Sequence, residues 1–163
     1  MTRATPLVMA VAVALSACNS NTAPGNDQEA EREAPAPPAP QMSAAEALSG
    51  IATGAIQPET MTDADVASLG GFDGRCALRL TEVGLPSLLY DGDMPGAAIK
   101  LNGKLITLPA VDDDGLYRED GLTVRVRLVD EEVGRGGRRE AEMIVMLPGA
   151  DDELGFRGYE VCY

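Results

Sequence analysis

Leu122, Val124, Val126 and Leu128 alternate with Thr123, Arg125 and Arg127. Alternation with period two gives one apolar and one polar face, so it predicts a half-buried strand. Cys76, Leu78 and Leu80, alternating with Ala77, Arg79 and Thr81, predict another of the same kind. Ile99-Lys-Leu-Asn102-Gly103-Lys-Leu-Ile106 predicts a hairpin, because Asn-Gly suits the two positive-φ positions of a type I′ turn. Pairing Leu101 with Lys104 then puts Ile99, Leu101, Ile106 and Leu108 on one apolar face. Segments 141–147 and 156–163 add two strands, and 86–90 a further one. Short strands separated by Gly, Pro and Asp predict an all-β fold, a small antiparallel β-sandwich or barrel, over residues 72–163.

Residues 42–71 follow a different pattern and read as a short helical lead-in. Ser43 stands three residues before Glu46, so its hydroxyl can accept from the Glu46 backbone N–H while that carboxylate reaches back. The short helix this starts ends near Gly50. Thr62 caps a second helix with acids in its first turn and Gly70 as its stop.

Further upstream the chain loses the composition of a folded domain. All six aromatic residues lie from Phe72 onward. Residues 18–41 hold Gln-Glu-Ala-Glu-Arg-Glu and then Ala-Pro-Ala-Pro-Pro-Ala-Pro, which favours extended polyproline II and reads as a linker; a PxxP ligand is the alternative. Fully extended, such a segment reaches on the order of 70 Å. Residues 1–17 combine Arg3 with the unbroken apolar run Leu7 to Leu15. As a helix that run spans about 14 Å, roughly half a bilayer core, which suits a cleaved signal peptide better than a membrane anchor.

Charge and composition narrow the chemistry. Thirteen Lys and Arg stand against 26 Asp and Glu, a net charge of −13, which argues against a nucleic-acid partner. The absence of His removes His-dependent triads and the usual His-containing zinc sites. Asp91-Gly-Asp93-Met-Pro-Gly96 begins like a calcium loop, but Pro95 and Asn102 occupy positions that need ligands. Asp112-Asp-Asp114 and Asp151-Asp-Glu153 read as solvated turns, with no metal expected. Paired carboxylates are inevitable in so acidic a chain, and no Trp platform or nucleophile setting marks any pair, so neither an enzyme nor a cofactor is expected.

Arg135-Gly-Gly-Arg138-Arg139 is the one basic cluster of the domain, a candidate contact for lipid phosphate or an anionic partner, or else a solvated hairpin loop. Arg125 and Arg127 opposite Glu140 and Glu142 read as cross-strand charge pairs.

Three resemblances add to this reading. Leu15-Ser16-Ala17-Cys18 resembles the lipobox of bacterial lipoproteins, which implies lipidation of Cys18; a chance thiol after an ordinary signal peptide is the alternative. The membrane would then be reached through palmitate-type acyl chains on Cys18. Asn19 in place of Asp implies the outer membrane, facing the periplasm. In that oxidising compartment Cys76 and Cys162 would form a disulfide between the first and last strands, worth about 4 to 5 kcal/mol by chain entropy, the alternative being two buried thiols.

Lys100-Leu-Asn-Gly103 and Gly155-Phe-Arg-Gly-Tyr159 before a cysteine make residues 72–163 resemble an uncharacterised domain of alphaproteobacterial lipoproteins. That likeness names no activity; the expectation is a lipid-anchored periplasmic domain acting by binding or envelope support, with an envelope protein or cell-wall component as partner. The terminal cysteines and the strand order are similar to those of the membrane-bound inhibitors of C-type lysozyme, small lipid-anchored β-barrels. In that family a Ser-Gly-x-x-Tyr loop enters the lysozyme cleft, which would make Tyr117 a partner contact. Here Asp114 replaces the Ser, and only Leu116 separates Gly115 from Tyr117.

Overall fold

The computed structural model describes residues 35–91, 96–112, 114–130, 133–134 and 136–163. The signal segment, Cys18 and most of the linker lie outside the described residues, as do Asp113 and Arg135. Pro35–Tyr163 forms one compact unit. Among the described residues no helix is long and apolar enough to cross a membrane.

Among the described residues eight strands carry the fold: β1 (Arg75–Arg79), β2 (Leu88–Asp91), β3 (Gly96–Leu101), β4 (Lys104–Pro109), β5 (Leu116–Glu119), β6 (Leu122–Leu128), β7 (Arg139–Met146) and β8 (Leu154–Cys162). They form one antiparallel sheet in the order β4-β3-β2-β1-β8-β7-β6-β5. Apart from β4 and β5, each strand therefore neighbours the next in the chain, and β8 returns to β1, much as in an up-and-down barrel. The remaining seam, between β4 and β5, is closed by a bridge of Ala110 to Tyr117 and by Val111 N–H donating to Leu116 C=O at 2.8 Å. Pro109 ends β4 at this seam, and without an N–H it cannot extend the ladder.

Local chemistry fixes the register. Asn102 and Gly103 take φ values of 49° and 66°, the left-handed pair that a tight hairpin needs, and Leu101 faces Lys104. Asp120 and Gly121 repeat this at 45° and 84° between β5 and β6, a turn and a strand that the sequence reading left unassigned. β6 alternates as a half-buried strand should, with Leu122, Val124 and Val126 inward.

The expectation for the first strand needs correction. Cys76, Ala77 and Leu78 are all buried, so β1 is covered on both faces rather than one. The cover is α2 (Asp63–Ser68), whose Val66 packs with Met61, Leu69 and Phe72 on Ala77, Leu89, Ala98 and Leu105. Inside the barrel, Leu78, Leu88, Ile99, Leu101, Ile106, Leu122, Val124 and Met143 are fully buried, each worth about 1.5 to 3 kcal/mol. Residues 42–71, read as a lead-in, contribute to both layers. Ala44 and Ala47 of α1 (Ala44–Ala47) join the interior cluster, and the Ala44 N–H donates to the Glu119 carboxylate of β5 at 2.9 Å. Just before α1, Leu105 of β4 exchanges backbone hydrogen bonds with Pro40 and Met42 at 3.0 Å. Residues 40–44 thus span the part of the β4/β5 seam that the strands leave open.

Candidate functional site

The period-two pattern of β8 turns Phe156, Gly158, Glu160 and Cys162 to one side and Tyr159 and Val161 to the other. Glu160 therefore enters the barrel among apolar residues, with only 6% of its surface exposed. A buried charge needs partners, and two strands supply them. The Tyr90 hydroxyl of β2 donates to Glu160 Oε1. Arg139, opposite Glu160 in the β7/β8 register, brings its Nη2 to 2.5 Å from Oε2. Tyr117 packs its ring on Tyr90, with centroids 6.0 Å apart.

Burial pushes the Tyr90 hydroxyl far above the usual phenol range, and the hydrogen bond and charge of Glu160 push it the same way, against a smaller opposing effect of Arg139. Tyr90 is accordingly a fixed donor. With one hydrogen bond and one ion pair on the Glu160 carboxylate, the array ties β2, β7 and β8 together.

Cys76 and Cys162 face each other directly across β1 and β8, with Cα atoms 3.9 Å apart and sulfurs at disulfide distance. Tyr163 N–H donates to Arg75 C=O next door, so the cysteine pair occupies a non-hydrogen-bonded site, where side chains approach most closely. A Glu160 carboxylate oxygen and both sulfurs lie within 4.8 Å of one another.

The residues singled out from the sequence meet only in part. Tyr117 is 5% exposed and packs in the core. Arg139 is drawn inward to Glu160, while Arg138 lies over the outer ring of Tyr159 at 5.9 Å and donates to Glu82 C=O at 3.0 Å. Arg127 does pair with Glu142, Nε to Oε2 at 2.7 Å. Arg125, however, stands opposite Ile144, and Glu140 lies beside Val129, because the register is shifted from the one expected. Asp112 closes its own turn by accepting from Asp114 N–H at 3.0 Å.

Three residues of consequence were not read as such from the sequence. Glu160 and Tyr90 are separated by 70 positions, and no local pattern links them. Asp65, seen only as an acid in a first helical turn, completes a capping box with Thr62 and also accepts from Ala39 N–H at 2.6 Å and Lys100 Nζ at 2.8 Å. Thr62-x-x-Asp65 was the available signal.

Fold and array define a small antiparallel barrel with an internally neutralised polar core and a cysteine pair joining its first and last strands. The chain belongs to the family described as a domain of unknown function (DUF6692), whose model matches residues 14–163. No curated protein and no solved structure matches the chain.

Proposed function

We propose that this protein is a bacterial envelope lipoprotein. Acyl chains on Cys18 hold it at the outer membrane, and its barrel acts in the periplasm by binding or envelope support, without catalysis. The observation that carries the reading is the direct opposition of Cys76 and Cys162 on β1 and β8 at disulfide distance. Such a pair serves as a staple in an oxidising compartment, which is where the lipobox-like Leu15-Ser16-Ala17-Cys18 would deliver it. The self-contained Tyr90–Glu160–Arg139 array supports a non-catalytic role, since its polar groups are already engaged with one another.

The reading as an inhibitor of C-type lysozyme requires Tyr117 to enter a cleft. Its burial against Tyr90 speaks against that.

Cell fractionation tests the proposal. The unaltered chain should sediment with outer membranes, and Cys18→Ser should release it from them or leave an uncleaved precursor. Equal membrane association of both would refute the anchor. In the same preparations, stoichiometric inhibition of C-type lysozyme that survives high salt would install the second reading.

A further inference from the structure

Between the 3-10 turn at Thr53–Ala55 and the β7/β8 connection, the barrel opens into a cavity of about 580 Å³. Its floor is apolar. Ile56 and Leu147 are buried members of the interior cluster, and Leu154 and Phe156 are half-buried side chains packed against that cluster. The cavity is thus a mouth onto the hydrophobic core, in the size range that holds small ligands.

The rim has one sign of charge. Asp151, Asp152 and Glu153 line it, Gln57 adds an amide, and among the described residues no Lys or Arg takes part. All three acids are exposed. None has an ion pair among the described residues. The whole chain carries −13, so the long-range field favours cations as well.

We propose that this mouth binds a small cationic amphiphile, an alkyl- or arylammonium compound. Its apolar part rests on Ile56, Leu147, Leu154 and Phe156, and its ammonium group lies among Asp151, Asp152 and Glu153. The floor supplies affinity by removing apolar surface from water, and the rim selects the charge of the head group. An anionic amphiphile of the same length meets three like charges. A bare cation gains nothing from the floor. The site is independent of the anchor: acylation at Cys18 neither creates nor removes it, so failure of one proposal leaves the other standing.

Calorimetric titration of the exported chain carrying Cys18→Ser tests this with octylammonium, octanoate, methylammonium and calcium as probes. Octylammonium should bind saturably with one site per chain, at least tenfold more tightly than either octanoate or methylammonium. Replacing the exposed rim by D151N, D152N and E153Q together should weaken octylammonium about tenfold, leave the thermal midpoint nearly unchanged, and narrow the gap to octanoate. Equal binding of octanoate, equal binding of methylammonium, absence of saturable octylammonium binding, or no effect of the rim substitutions would each overturn the proposal. Displacement of octylammonium by micromolar calcium would also overturn it, in favour of a metal site.

Discussion

Gly158 of β8 lies so close to Arg79 of β1 that a Cβ built on it would stand 2.1 Å from the Arg79 carbonyl oxygen and 3.2 Å from the Leu80 Cα. Backbone, not a flexible side chain, fills that space. β1 and β8 are the first and last strands of the barrel, and their pairing joins the β1 to β4 half of the sheet to the β5 to β8 half.

Gly158→Ala should therefore destabilise the fold by about 3 kcal/mol or more, because two backbones must separate to admit a methyl group. Gly149→Ala is the control. Gly149 has a φ of 74° with nothing within 4 Å of its would-be Cβ, so only conformational strain of about 1 to 2 kcal/mol applies. Urea unfolding of both variants should separate them by their midpoints. Equal midpoints would mean that the close approach does not constrain the sheet.

Arg139 and Glu160 should behave asymmetrically as a pair. Arg139→Met leaves a buried carboxylate with Tyr90 as its remaining partner and should cost about 3 kcal/mol, the low end for a broken buried pair because the Arg139 side chain is 35% exposed. The double change to Met at 139 and 160 should recover much of that loss, since apolar replacement removes the orphaned charge. Unfolding free energies of the two single and one double variant give the coupling. Additive losses would contradict the ion pair.

What the sequence made legible follows from how far each signal reaches along the chain. The Asn102-Gly103 hairpin and the alternation of β6 are local, and both are present where the residues predicted them. The two-sided burial of β1 to β4 was written in runs such as Leu88-Leu89-Tyr90 and Ala97-Ala98-Ile99, but recognising it requires knowing that α2 lies over them. Strand β5 is four residues long with a charged half, too short for a periodic pattern to stand out, although Asp120-Gly121 announced its turn. Arg138 and Arg139 read as one basic cluster because they are adjacent. Arg139 opens β7 and turns inward to Glu160, whereas Arg138 lies just before the strand and reaches an outer ring.

Asp65 makes the fold sensitive to acid. Burial alone would raise its pKa, yet Lys100, the Ala39 and Thr62 backbone N–H groups and the Thr62 hydroxyl together lower it from 3.8 to about 2. A group depressed on folding contributes stability above its unfolded pKa and loses it as pH falls through the folded one. The contribution, about 2 kcal/mol, is therefore complete above the unfolded value and disappears between pH 3.8 and about 2. Asp65→Asn should reduce stability near neutrality and flatten the pH dependence in that window. A parallel acid limb in both proteins would remove Asp65 from the account.

The central claim is that the barrel is carried on a lipid anchor at Cys18, and mass spectrometry of the mature protein purified from its own envelope tests it most directly. The account predicts an N-terminus at Cys18 carrying the added mass of a diacylglycerol group, with further acylation of the new amine. A mature chain that begins elsewhere, or one that begins at Cys18 without acyl mass, would contradict it.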